Sequence, residues 1–97
     1  MGEVVARLGA RDDECWFWAT HQGAEMDLLV VRGRRRWGFE FKRTSAPRIT
    51  KSMRIALSDL GLTRLHVIHA GDHSFPMASK IQAIAFADLP ERLKPFR

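Results

Sequence analysis

Residues 23–44, Gly-Ala-Glu-Met-Asp-Leu-Leu-Val-Val-Arg-Gly-Arg-Arg-Arg-Trp-Gly-Phe-Glu-Phe-Lys-Arg-Thr, read as two strands that break at Gly33. The first arm, 26–32, is aliphatic and β-branched, and the second, 36–43, alternates aromatic with other side chains. A type II′ turn at Gly33-Arg34, with Gly in its first central position, makes the numbers of paired residues sum to 67. Asp27 then lies opposite Glu40, and Glu25 opposite Lys42. Opposed side chains on one face have Cβ atoms about 4.5–5.5 Å apart. Alternation sends Glu40 and Lys42 to one side of the sheet. It sends Met26, Leu28, Val30, Trp37, Phe39 and Phe41 to the other, as core. Two carboxylates and an ammonium on one patch suit Mg²⁺ or Mn²⁺, hard cations held by one or two carboxylates plus water and phosphate oxygens.

Working outward, Val4, Val5 and Leu8 are spaced for a helix that stops at Gly9. Cys15–Thr20 is a strand by its aromatic content. Ile49, Met53, Ala56, Leu57 and Leu60 mark an amphipathic helix over 50–60, closed by Gly61. Residues 65–70 form a strand, 71–73 a turn, and 80–86 another strand. Asp88 N-caps a short helix that ends before Pro95. The order is αβββαβ(βα), an α/β fold with a mixed β-sheet flanked by helices. The connection through the 50–60 helix is long enough for a parallel crossover.

The Asp27, Glu40-x-Lys42 pattern resembles the PD-(D/E)XK nuclease superfamily, and so implies a restriction-endonuclease-like fold. The runs 21–27, 39–44, 46–57 and 65–71 resemble, more narrowly, the nuclease-like domain found C-terminal to many predicted prokaryotic AAA+ ATPases. That resemblance covers residues 8–93 and implies an ATPase module as partner in a longer form. In that family a longer first helix with its own Glu packs on the sheet. Here only the stretch after Met1, with Glu3 as its acid, is present, and no G-x-x-x-x-G-K-[ST] run occurs. The chain is therefore expected to be a single domain over 1–97, shortened at its N-terminus or part of a larger ATPase protein.

A net charge of +5 and a pI near 10.4 favour anionic partners, DNA or RNA first. The single Cys15 excludes an intrachain disulfide and fits a reducing cytoplasm. No apolar run approaches a membrane span. A core this small, with a shortened helix over it, makes a homodimer an expected remedy.

For phosphodiester hydrolysis, Asp27 and Glu40 are the metal ligands, and Lys42 orients the water or offsets transition-state charge. Glu25 is an accessory ligand or, more simply, the ion-pair partner of Lys42. Lys51 and Arg54 on the polar side of the 50–60 helix are candidate phosphate contacts, against the common reading of a solvated face. Arg34, Arg35 and Arg36, with Arg32, crowd the hairpin tip and either grip nucleic acid or blunt strand pairing. Histidines 21, 66, 69 and 73 with Cys15 lack the spacing of a zinc site. Trp16 and Trp18 share a strand face and are read as core. Two functions follow. One is metal-dependent cleavage of nucleic acid. The alternative is a catalytically inactive nuclease-fold module that binds nucleic acid or protein beside an AAA+ ATPase.

Overall fold

The computed structural model describes residues 1–95, a six-stranded mixed sheet with helices on both faces. Helix α1 (Gly2–Leu8) and a 3-10 turn (Asp12–Glu14) precede strands β1 (Cys15–Ala19), β2 (Glu25–Arg32) and β3 (Arg35–Phe41). Helix α2 (Lys51–Leu60) begins at Thr50, whose Oγ1 accepts from the Met53 amide at 3.2 Å. Strands β4 (Arg64–His69), β5 (Phe75–Ala78) and β6 (Ile81–Ala85) follow, then a second 3-10 turn (Phe86–Asp88) and helix α3 (Leu89–Arg92). The sheet order is β1-β2-β3-β4-β6-β5. β1, β2 and β3 form an antiparallel meander, and β3, β4 and β6 run parallel, with α2 in the β3–β4 crossover.

The β2–β3 ladder runs from Leu28–Phe39 to Arg32–Arg35, and every pair sums to 67 as the two-residue turn requires. Gly33 has φ 59° and Arg34 has no positive φ, which is what a type II′ turn needs. One face of the sheet packs Leu28, Val30, Phe39, Ile68 and Ile84 under Val4 and Leu8 of α1 and Leu89 and Leu93. The other packs Met26, Leu29, Leu65, Val67 and Ile81 under Met53 and Ala56 of α2.

Met26 departs from the expected alternation. It shares a face with Leu29, not with Leu28 and Val30. The reason is a bulge: Trp16 pairs with Leu29 but Trp18 pairs with Met26, so Asp27 and Leu28 together oppose Phe17. An extra residue reverses the side-chain alternation beyond it. This places the break in pattern at Asp27 itself.

Two further expectations are corrected. Trp16 is not core; it is 57% exposed, because β1 is an edge strand, while Trp18 packs beside the α2 cluster. β5, in a stretch to which the sequence reading assigned no element, pairs antiparallel with β6 as the opposite edge. Pro76 hid this strand, since proline argues against central strands but is tolerated at edges. Asp88 stands at the N-cap of α3, yet its Oδ2 accepts from Ser74 Oγ at 2.6 Å and caps no helix amide.

Arg32 belongs to the scaffold. Its Nε and Nη2 donate to Glu14 at 2.8 and 2.9 Å, and Nη2 also donates to the Gly9 carbonyl at 3.1 Å. The Arg11 amide donates to the same carboxylate at 2.8 Å. This fork ties the turn before β1 to the end of β2. The Arg32 guanidinium, followed by the Arg11 amide, holds the Glu14 carboxyl at about 2, below its ordinary 4.5. A depressed acid contributes stability that is complete above the unfolded value and is lost as pH falls toward the folded one. Denaturant midpoints of the native chain should therefore fall more steeply between pH 4.5 and about 2 than those of Glu14→Gln. Parallel acid limbs would show that the fork makes no difference there.

Candidate functional site

The β2–β3 ladder stops one pair short of Asp27 and Glu40. Beyond it, side chains replace backbone pairing. Asp27 Oδ2 accepts from the Phe41 amide at 2.9 Å, and Glu40 Oε1 accepts from the Asp27 amide at 3.2 Å. Each carboxylate thus satisfies a backbone N–H that the splayed strands would leave unpaired. The bulge turns Asp27 toward β3, and Glu40, following Phe39, faces the α2 side. Asp27, Glu40 and Lys42 do come together. Lys42 Nζ lies 3.6 Å from Glu40 Oε2. Its backbone is held by its amide donating to the Ile68 carbonyl at 2.8 Å, which extends the parallel pairing past β3.

Glu40 is 7% exposed. Burial, and then the nearby Asp27 charge, push its carboxyl above the usual carboxylate range, while Lys42 and the Asp27 amide pull against them. Glu25 is exposed and lies past the bulge, and among the described residues Lys42 has its ion pair with Glu40, not with Glu25. The ion pair of Lys42 is thus with Glu40, two residues before it, and not with Glu25 as expected. Asp27 Oδ1 and Glu40 Oε2 are the oxygens not bonded to a backbone amide, and the second faces Lys42. No group of three or more His, Cys, Asp or Glu side chains among the described residues could hold a metal ion. A Mg²⁺ or Mn²⁺ ion here would have two carboxylates, with water or phosphate oxygens completing its shell.

Lys51 and Arg54 are exposed on α2, as their spacing implies. The arginines of the hairpin tip divide. Arg34 is exposed, whereas Arg36 Nη1 donates to the Leu60 carbonyl at 3.0 Å and closes the C-terminal end of α2. Arg35 is exposed beside the turn.

Sequence reasoning weighed His69 only as a zinc ligand and set it aside. It is 2% exposed at the end of β4, where its Nδ1 accepts from the Gly71 amide at 3.0 Å and its Nε2 has no hydrogen-bond partner. It lines, with Phe41, Lys42 and Phe86, a cavity of about 240 Å³. The one signal was positional, since ligands of parallel sheets gather outside the carboxyl ends of the strands.

The profile of a domain of unknown function, DUF4143, matches residues 1–89. Two curated proteins are similar: Uncharacterized protein Mb2031c of Mycobacterium bovis and Uncharacterized protein Rv2008c of Mycobacterium tuberculosis. Each is 48% identical over 85 residues, which cover 86% of this chain and 19% of the relative. The chain thus spans about one-fifth of the length of the curated relatives it matches. No solved structure matches it. With 89 of its residues inside one family profile, this chain belongs to DUF4143, a family whose function is not known.

Proposed function

We propose that this domain is a non-cleaving, nuclease-fold module that binds nucleic acid through its basic surface, within a longer protein that carries an AAA+ ATPase. The observation that carries the proposal is the clasp. Asp27 and Glu40 each bind the neighbouring strand's backbone, Lys42 answers Glu40, and no third metal-binding side chain joins them among the described residues. The acidic patch is then part of the sheet's architecture. The net charge of +5 and the exposed Arg34, Lys51 and Arg54 supply the attraction to a phosphate backbone. The sheet's open edge at Trp16 and Phe17, which are 57% and 66% exposed, is the surface for a second copy or the ATPase module.

The test is binding to a fluorescent oligonucleotide across a salt series, with Mg²⁺ present and product analysed. Binding without cleavage is expected, with log K falling linearly in log salt at about 0.9 per phosphate contact on duplex DNA. Lys51→Ala with Arg54→Ala should weaken binding across all sequences and reduce that slope by about 2, one per lost contact. Affinity unchanged by salt and by both substitutions would remove the proposal.

A second reading has one observation in its favour. The Glu40 carboxyl is disfavoured in its charged form by burial and by Asp27, and a divalent cation would relieve both. In that reading Asp27 and Glu40 hold Mg²⁺ or Mn²⁺, which when bound polarises a phosphate and lowers the pKa of water. Lys42 would then balance charge on the phosphate oxygens.

A further inference from the structure

On the face opposite Glu40, a cavity of about 260 Å³ opens between the start of β4, β6 and α3. It is lined by Trp37, Arg64, His66, Gln82, Arg92 and Lys94, and by no carboxylate among the described residues. Three cations arrive there from two parts of the chain: Arg64 opens β4, while Arg92 ends α3 and Lys94 follows it. Among the described residues none of the three has an ion pair. Like charges gathered around one concavity repel unless an anion joins them. A basic run on a solvated face would not converge in this way.

The floor of the cavity carries the second observation. His66 is 5% exposed, stacked on Phe39 with ring centroids 4.7 Å apart and tilted against Trp37 at 5.2 Å. Its Nδ1 is buried without a hydrogen-bond partner. Burial holds the group at about 4, against the Gly38 backbone, so the ring is neutral at physiological pH. A neutral imidazole keeps one N–H and one lone pair, and the Nδ1 edge has no protein partner for either among the described residues. Buried polar atoms without partners are uncommon in folded proteins, and a ligand is one of the explanations for such an atom.

We propose that this cavity binds a phosphate-bearing small molecule of mononucleotide size. The phosphate meets Arg64, Arg92 and Lys94 at the rim, and a polar group on the organic part partners His66 Nδ1. Gln82, which pairs with His66 across β4 and β6, supplies an amide beside it. The volume lies just under the ~300 Å³ at which drug-sized pockets begin, so the ligand is small. A duplex backbone cannot reach a nitrogen this deep, and the site is thus independent of the nucleic-acid reading above.

The experiment is a titration of the isotope-labelled domain with adenosine monophosphate, and separately with inorganic phosphate, following amide and imidazole signals. Saturable shifts at His66, Gln82 and Arg64 are expected with the nucleotide, about tenfold tighter than with phosphate alone, because the organic part adds a hydrogen bond to a buried ring nitrogen. Arg64→Ala with Arg92→Ala, both exposed and so compatible with folding, should weaken nucleotide binding by tenfold or more. Oligonucleotide binding in that variant should keep its dependence on Lys51 and Arg54. Equal affinity for nucleotide and phosphate would overturn the ligand class. Absence of saturation at millimolar nucleotide, or shifts confined to residues 25–27 and 40–42, would overturn the site.

Discussion

Phe39→Ala should remove most of the folding stability of this domain. The ring is fully buried in the centre of β3, within the cluster under α1 and α3, and it carries the stacked His66 imidazole. Deleting a buried phenyl group costs about 3–5 kcal/mol, from lost transfer energy and the cavity left behind. Small domains have only about 5–15 kcal/mol in total. Chemical denaturation followed by tryptophan fluorescence should therefore show a midpoint near zero denaturant, or no cooperative transition. Phe17→Ala is the internal control. That ring is 66% exposed on the edge strand, and its removal should stay within about 0.5 kcal/mol. Comparable losses from the two substitutions would mean that the layer arrangement is wrong.

Asp27→Ala has the next largest expected effect, and it separates a structural carboxylate from a purely functional one. The Phe41 amide loses its acceptor at 2.9 Å in a place the ladder does not reach. A buried donor left unpaired costs about 1–3 kcal/mol. Asp27→Asn retains a carbonyl oxygen for that amide and should lose much less. Glu40→Gln should go the other way. Its oxygen still accepts from the Asp27 amide, while the burial of charge and the repulsion by Asp27 disappear. An acid whose folded pKa is raised contributes stability that is present below its unfolded value of 4.5 and lost as pH rises through the folded value. At pH 7 the glutamine variant should thus be at least as stable as the native chain, and its advantage should shrink in acid. A stable Asp27→Ala together with a destabilised Glu40→Gln at pH 7 would refute the clasp.

How much of this was legible beforehand follows from the range of each interaction. The hairpin register could be read because turn chemistry at Gly33 fixes it locally, and the pairs from Leu28–Phe39 to Arg32–Arg35 all sum to 67. Convergence of Asp27, Glu40 and Lys42 followed from that register. What the register could not reveal is that β2 carries a bulge at Asp27, because the distortion depends on how β1 pairs with it. The bulge reversed the placing of Met26 and took Glu25 away from Lys42. Arg32 read as one more cation at a basic tip, since its acid partner Glu14 lies 18 residues earlier and meets it only through the folded sheet. The exposure of Trp16 likewise depends on strand order, which puts β1 at the rim. His66 looked like any strand histidine. Its significance comes from Arg64, Arg92 and Lys94 converging over it, a property of β4 and the end of α3 together.

The central proposal is that the acidic pair serves to hold two strands together. The most direct measurement is a Mg²⁺ and Mn²⁺ titration of the folded domain, followed through its amide signals, with Asp27→Asn as the control. The clasp predicts no saturable change at residues 25–27 and 40–42 at millimolar metal, in either the native chain or the variant. Saturable shifts there in the native chain, abolished in Asp27→Asn, would contradict it and establish the metal-dependent reading in its place.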